Sequence, residues 1–266
     1  QFYSLAIRFA GILGQLHEKN VVHKDIGPAN VLIDTSSGEL RLIDFGLSSE
    51  LSRERQDVIL SHRLEGSLPY ISPEQTGRMN RDLDYRSDYY SLGISFFELL
   101  TGQLPFQAKD PLEWVHHHIS RPPPLVHKVN PAVPESLSEI VGKLIAKNAE
   151  DRYQSTYGLI VDLERSRSSL EQVDLDVPFK TGGADVSRRF QIPQTLYGRE
   201  KELTQLTALF GAVTQGEMEF CLVSGYSGVG KSMLVGELGK SIASERGYLI
   251  HGQFDQFQQS AAYVAF

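Results

Sequence analysis

The stretch "HKDIGPAN", residues 23–30, places a carboxylate and an amide five residues apart in a polar loop. Two short apolar strands around a turn follow, so residues 31–43 are predicted to form a β-hairpin, and an Asp-Phe-Gly triplet begins at Asp44. Phosphoryl transfer needs a carboxylate near the attacking hydroxyl and oxygen ligands for Mg²⁺. Asp25 is therefore predicted to orient the hydroxyl, with Asn30 and Asp44 holding the metal. Loop capping would explain either aspartate alone, but not both beside one hairpin.

The composition is that of a soluble globular protein with one or two domains: 266 residues, 41% hydrophobic and 22% charged. A net charge of −7 argues against nucleic acid as the main partner. The one cysteine, Cys221, excludes an intrachain disulfide, and its apolar surroundings predict a buried thiol in a reducing cytoplasm. No apolar stretch approaches the roughly 20 residues that span a bilayer. The start lacks a signal peptide and an initiator Met, and is interpreted as a cut into a longer chain.

Most of the first 165 residues are predicted to be helical. The apolar residues of 4–18 have the spacing of one helix face, and "SDYYSLGISFFELLTG", residues 87–102, is apolar nearly all round and ends on glycine. Residues 47–72 are predicted to form a long irregular loop. Further helices are predicted at 111–119, 135–147 and 155–167.

Five motifs, in order, make residues 1–165 resemble the C-terminal lobe of a eukaryotic-type protein kinase. Residues 23–25 match the catalytic His-Arg-Asp of that family, and Asn30 and the triplet at Asp44 match its metal ligands. The remaining matches are Ser-Pro-Glu ending at Glu74, "DYYSLG" from Asp88, and Arg152. The resemblance implies a buried ion pair between Glu74 and Arg152.

The resemblance also implies a role for each site residue. Asp25 would be the catalytic base, and Ser67 would bond it through its hydroxyl. Asp88 would hold the catalytic-loop backbone. Lys24 replaces the arginine that meets an activation-loop phosphate, and offers a point charge instead of a planar fork.

Two departures from the kinase pattern weaken the expected activity. Gly27 stands where serine/threonine kinases place a lysine that touches the transferring phosphate, and such contacts are worth roughly 10²–10³ in rate. The sequence also contains no Gly-rich phosphate-covering loop, strand lysine or partner glutamate. The 266 residues alone are therefore expected to be inactive as a kinase.

A second motif, "GYSGVGKS" at 225–232, fits a phosphate-binding P-loop in full. It lies between a predicted strand, 219–224, and a predicted helix, 231–245, and another strand is predicted at 247–254. Backbone N–H groups and a helix N-terminus would bind phosphate there. The predicted nucleotide-binding residues are Gly225, Gly228, Val229, Gly230, Lys231 and Ser232, with Ser232 also a Mg²⁺ ligand.

The stretch "LYGREKELTQL" before this loop resembles the opening of AAA-type ATPases related to origin-recognition proteins. Residues 195–266 are therefore expected to begin such a domain, after a linker at 166–194. The predicted fold is multidomain: a mainly α kinase C-lobe, then an incomplete α/β P-loop NTPase domain. This order resembles large bacterial signalling proteins.

The leading hypothesis is a cytoplasmic protein serine/threonine kinase joined to a regulatory ATPase module, with ATP and Mg²⁺ as cofactors and a Ser- or Thr-bearing protein as substrate. A pseudokinase scaffold for the ATPase is the alternative. A small-molecule phosphotransferase is a third, which the Ser-Pro-Glu and "DYYSLG" motifs disfavour. The three histidines at 116–118 are predicted not to chelate a metal, because neighbours on a helix diverge. "RPPPL", residues 121–125, is predicted to be a rigid connector between helices.

Overall fold

A computed structural model gives the fold of the chain. It describes residues 1–34, 36–50, 66–79, 81–171, 180–187, 197–226, 228–245, 247 and 249–250.

The first helix, α1 (Phe2–Glu18), confirms the predicted apolar face. Phe9 and Leu13 are buried on it, at 3% and 0% exposure. Four residues apart, they lie on the same side of the helix. The chain leaves α1 through Asn20, whose φ of 57° lies in the left-handed region that asparagine tolerates. The residues that follow lead directly into the polar loop.

The predicted hairpin is confirmed. Strand β2 (Val31–Ile33) pairs antiparallel with β3 (Leu40–Leu42), with Val31 opposite Leu42. A second pairing, which the sequence did not predict, joins β1 (Val21–Val22) to β4 (Ser49–Glu50). The polar loop and the Asp-Phe-Gly triplet are therefore each anchored by a strand on both sides.

The central helix of the lobe is α2 (Arg86–Thr101). Every residue from Arg86 to Phe97 is buried, as the apolar pattern predicts. Gly102 ends it with a φ of 73°, a left-handed conformation that glycine adopts without steric cost.

Four further α-helices follow in the described residues up to 171, and two of their ends differ from the prediction. Asp110 caps the first of them by accepting a hydrogen bond from the Glu113 backbone N–H. The helix predicted at 135–147 ends three residues earlier, at Leu144. The helix predicted at 155–167 runs on to Glu171. The prolines of 121–125 connect the helix that ends at Ile119 to the helix that begins at Val126, as predicted. The helices are α3 (Pro111–Ile119), α4 (Val126–Val129), α5 (Glu135–Leu144) and α6 (Thr156–Glu171).

Part of the predicted linker packs on the kinase-like lobe. The Asp185 carboxylate accepts hydrogen bonds from the backbone N–H groups of Gln154 and Ser155, at 2.8 and 2.9 Å. The Gly182 N–H donates to Asp162 at 2.6 Å. Residues 180–187 are thus held by several polar contacts, which the Ser- and Gly-rich composition did not indicate.

The second part of the chain contains α7 (Glu200–Thr214), α8 (Lys231–Gly236) and α9 (Leu238–Ser244). The single helix predicted at 231–245 is therefore interrupted at Glu237. α9 packs against α7 and also against α3.

The prediction of a strand at 219–224 is wrong, because these described residues form no strand. Phe220 and Leu222 are 87% and 79% exposed, and Cys221 is also exposed, so the buried-thiol prediction is wrong as well. An apolar strand becomes buried only when neighbouring strands and helices cover it. Most of the strand predicted at 247–254, and residues 51–65 of the predicted long loop, lie outside the described residues.

No helix in the described ranges combines the length and the apolar character needed to cross a membrane.

Candidate active site

Two donors fix the carboxylate of Asp25. Its Oδ1 accepts a hydrogen bond from the Ser67 backbone N–H at 2.8 Å, and its Oδ2 accepts one from the Asn30 side-chain amide, also at 2.8 Å. The same amide nitrogen donates to the Asp25 backbone carbonyl at 2.8 Å. Both oxygens of the Asp25 carboxylate are therefore held by hydrogen bonds, one of them from Asn30.

Asn30 directly precedes the first strand of the hairpin, and Asp44 lies two residues after the second strand. The Ile43 N–H donates to the Asn30 carbonyl at 3.0 Å, which places Asp44 one residue beyond this bridge. The Asn30 side-chain nitrogen bonds Asp25, so its amide oxygen is left as an acceptor, and Asp44 is exposed. An amide oxygen and a carboxylate are hard oxygen ligands, and this donor set fits Mg²⁺.

Asp88, on α2, supports the polar loop of residues 23–30 and is fully buried. It accepts hydrogen bonds from the backbone N–H groups of His23 and Lys24, at 3.0 and 2.9 Å, and contacts His17 Nε2 at 2.8 Å. The predicted role of Asp88 is confirmed. Lys24 has a φ of 69°, which costs a non-glycine residue of order 1 kcal/mol or more, and the two bonds to Asp88 offset that strain.

Ser67 contacts Asp25 differently from the prediction. Its backbone N–H is the described donor, rather than its hydroxyl. Gly66, just before it, has a φ of 98°, and a Cβ there would lie 3.2 Å from the Lys24 carbonyl oxygen. Glycine at this position therefore permits the close approach of the two segments.

Gln75 is a site residue that the sequence did not reveal. Its Nε2 donates to the Lys24 carbonyl at 2.7 Å, and its Oε1 accepts from the Ser72 N–H at 2.9 Å. Gln75 therefore ties the segment after Ser67 to the polar loop of residues 23–30. The only signal was its position next to Glu74.

The predicted ion pair between Glu74 and Arg152 is confirmed. The two guanidinium nitrogens bond the two carboxylate oxygens at 2.6 and 2.9 Å, and both side chains are almost completely buried. Arg152 also donates to the carbonyls of Ala146, Arg86 and Lys147. All five guanidinium protons thus have acceptors, which is the condition under which a buried pair is tolerated.

The environment of Glu74 determines its ionisation. Burial acts to raise the pKa of this carboxyl, but the charge and hydrogen bonds of Arg152 and a bond from Ser87 outweigh it and lower the pKa to about 2. Nearby, burial and then the charge of Arg152 lower the pKa of Lys147 to about 7.

The three histidines of α3 point to three different acceptors. The His116, His117 and His118 rings contact the carbonyls of Ala243, Gln107 and Leu68, respectively. Each imidazole therefore has a structural partner of its own.

The P-loop region ends in a helix, as predicted, although the described residues directly before it, 217–226, form no strand. Gly228 and Gly230 have φ values of 79° and 90°, and α8 begins at Lys231. Lys231 Nζ donates to the carbonyls of Gly225 and Tyr226, at 2.9 and 2.8 Å. The ammonium group therefore lies over the loop that would surround a phosphate. Val229 is exposed, and Ser232 is the second residue of α8.

Comparison with known proteins agrees with this arrangement. The family model of the protein kinase domain matches residues 6–159, more than half of the chain. The chain therefore belongs to the protein kinase family. The family model of an AAA ATPase domain matches residues 195–266, so a kinase domain is followed by an ATPase domain. These two domains imply the use of ATP.

Three relatives illustrate the similarity. The hybrid signal transduction histidine kinase G of Dictyostelium discoideum is 32% identical over 97% of the chain, which spans 10% of that protein. A probable serine/threonine-protein kinase PknB of Lactococcus lactis is 35% identical, and the serine/threonine-protein kinase PrkC of Bacillus subtilis is 34% identical. Each of these two matches covers 57% of the chain and 23% of the relative.

Proposed function

We propose that the chain carries the catalytic loop and metal ligands of an ATP-dependent protein serine/threonine kinase. The observation that carries this proposal is the Asp25 carboxylate, held at both oxygens beside Asn30. Transfer of labelled phosphate from MgATP to Ser or Thr of a protein substrate, by the full-length protein, tests it. Transfer to Tyr alone, or no transfer, would contradict it.

Each site residue has a role in this proposal. Asp25 accepts the proton of the substrate hydroxyl, and Asn30 and Asp44 would hold Mg²⁺. The metal would neutralise charge on the transferred phosphate. Lys24 adds positive charge next to Asp25, and Ser67 keeps that carboxylate oriented.

Exposed apolar side chains around the hairpin support the view that residues 1–165 form one lobe of the kinase. Leu32, Ile43 and Phe45 are 54%, 36% and 46% exposed, next to the metal ligands. An apolar surface beside an ATP site fits the adenine ring and a second lobe. We therefore assign the clamping of ATP to residues beyond this lobe, and expect the lobe alone to be inactive.

A pseudokinase scaffold is the second candidate, and Gly27 favours it. Its φ of −168° is open to any residue, and a Cβ there would meet only the Tyr70 ring at ordinary contact, 3.5 Å. A lysine would therefore fit, so the geometry of the loop does not explain its absence. The intact Asp25, Asn30 and Asp44 support activity instead.

Ser67→Ala is expected to reduce kinase turnover less than about tenfold, because the substitution preserves the backbone N–H that bonds Asp25. Steady-state phosphorylation by the full-length variant checks this. A loss as large as that for removal of the Asp25 charge would show that the hydroxyl itself is essential.

The second domain is proposed to be a regulatory ATP-binding module in the same cytoplasmic protein. The support is the pair of left-handed glycines and Lys231 at the start of α8. Backbone donors, a cationic side chain and Ser232 would hold phosphate and Mg²⁺. We assign ATP hydrolysis to residues outside the described part of this domain.

Lys231→Ala should weaken ATP binding to this domain by about 10- to 100-fold, since it removes a charged hydrogen-bond donor to phosphate. A nucleotide titration of the full-length protein carrying Asp44→Ala, which disables the kinase metal site, isolates the P-loop. Lys240→Ala is the matched control, because Lys240 pairs with Glu237 on the same stretch. Equal affinities for the two variants would contradict the assignment.

A further inference from the structure

The C-terminal end of α9, in the ATPase part, lies on the surface of the kinase lobe. His116 on α3 contacts the Ala243 carbonyl through Nδ1 at 3.0 Å. Because a carbonyl can only accept, the imidazole donates. The guanidinium group of Arg78 donates to the Gly247 carbonyl, also at 3.0 Å. Both donors belong to the kinase lobe, and both acceptors lie at or after the end of α9.

These contacts complete the end of a helix. The last carbonyls of a helix have no partner within it, and the C-terminal end carries a partial negative charge. Within α9, the Ser241 and Ile242 carbonyls accept from the backbone N–H groups of Glu245 and Gly247. The Ala243 carbonyl accepts from the Glu245 N–H and, in addition, from His116. The kinase lobe thus supplies part of the cap of a helix that follows the P-loop.

An apolar contact accompanies the polar ones. Ala243 is buried with Val115 and Ile119 of α3, at 2%, 2% and 6% exposure, and Met79 packs on the same cluster. Gly239 of α9 lies so close to the lobe that a Cβ there would be 2.6 Å from the Arg78 carbonyl oxygen. The approach therefore depends on the absence of a side chain at this position.

The surface that α9 covers, formed by α3, Arg78 and Met79, is connected to the catalytic loop by a series of hydrogen-bonded residues. The Arg78 N–H donates to the Thr76 hydroxyl at 3.3 Å, within the short segment that also holds Glu74 and Gln75. Gln75 in turn bonds the Lys24 carbonyl at 2.7 Å, next to Asp25. A change at Arg78 can therefore reach the loop through one continuous chain segment.

We infer that α9 is a built-in partner of the kinase lobe. It docks on α3 and on Arg78–Met79, and so couples the P-loop helices to the catalytic loop. The inference that α9 docks does not depend on the proposed kinase activity. The inference that docking affects catalysis does depend on it. Coupling between two sites is shown by perturbing one and reading the other, and not by proximity alone.

Gly239→Ala tests the docking in the 266-residue chain. The added methyl group forces α9 away from Arg78 without weakening the helix, because alanine favours helices more than glycine does. Gly211→Ala, in α7, is the matched control, since a Cβ there meets nothing within 4 Å. Hydrogen exchange should be about threefold faster or more at residues 76–79 and 111–119, in the Gly239 variant alone. A smaller increase is expected at 23–27.

A second pair of variants tests the docking in case α9 adjusts to the added methyl group without leaving the kinase lobe. Ala243→Glu places a charge in the buried cluster, and Ala208→Glu places one on an exposed position of α7. Circular dichroism should show the same helix content for both. Unchanged exchange at 111–119 in both Gly239→Ala and Ala243→Glu would overturn the docking.

Phosphorylation by the full-length protein tests the coupling. Gly239→Ala should lower turnover by about fivefold or more relative to Gly211→Ala, because the Gln75 contact with the catalytic loop loosens. Faster exchange with unchanged turnover would overturn the coupling and leave the docking established. A full-length protein with no kinase activity in any form would refute the proposed function, while the exchange result would still decide the docking.

Discussion

Asp25→Asn should lower the kinase turnover of the full-length protein by about 10²–10⁴, the usual contribution of a positioned base. The amide cannot accept the proton of the substrate hydroxyl. It also loses one acceptor, so either the Ser67 N–H or the Asn30 amide is left without its partner oxygen. The Michaelis constant for ATP should change little, because Asp25 is not among the proposed metal ligands. Initial rates at saturating MgATP measure the effect.

Asp34→Asn is the matched control for this substitution. Asp34 is exposed in the hairpin turn, where Oδ1 accepts from the Ser36 N–H and Oδ2 from the Ser37 hydroxyl; an asparagine oxygen keeps the first bond, and the Ser37 hydroxyl can accept from the new amide nitrogen. Its turnover should be close to that of the unchanged protein. Full activity in the Asp25 variant would refute the assignment of Asp25 as the base.

Glu74→Ala should reduce the free energy of unfolding by about 3–5 kcal/mol, because it leaves the Arg152 guanidinium buried without a counter-charge. The Ser87 hydroxyl also loses its acceptor. Chemical denaturation of the 266-residue chain, followed by circular dichroism, measures the change.

Glu39→Ala provides the control, since it breaks an ion pair of the same chemistry in water. Its partner is Arg41, and the two side chains are 56% and 71% exposed. Such pairs contribute about 0–1 kcal/mol. Similar losses for the two variants would show that burial is not what makes the Glu74 pair important.

The same pair gives the lobe a defined acid sensitivity. The pKa of Glu74 is lowered from 4.5 to about 2 in the folded protein. Its contribution to stability is therefore present above about pH 4.5, and is lost as the pH falls towards 2. The unchanged chain should lose this part of its stability over that range, whereas the Glu74→Ala variant should not.

The sequence predicted those parts of the fold that depend on local pattern. The spacing along α1 and α2, and the turn between β2 and β3, are set by residues close in the chain, and all three were predicted. The pairing of Glu74 with Arg152 was predicted only through the family resemblance, since the two are 78 residues apart.

The misses share a physical cause, which is dependence on distant partners. The strand predicted around Cys221 required neighbouring strands, which the described residues do not provide. The contact of Gln75 with the Lys24 carbonyl spans 51 residues, and no periodicity encodes it. Ser67 was predicted to act through its hydroxyl because residue type is visible in a sequence, whereas a backbone N–H is common to almost every residue.

The position of Asp88 ties the order of folding to the appearance of function. This carboxylate comes from the central helix, and it bonds backbone groups 64 and 65 residues earlier in the chain. The left-handed turn at Lys24 therefore gains its bond to Asp88 only when α2 has joined the earlier part of the chain. The loop of residues 23–30 therefore depends on the assembled lobe for part of its shape. Phosphate transfer would then require the whole lobe to be folded. A partly folded chain would be inactive, instead of weakly or promiscuously active.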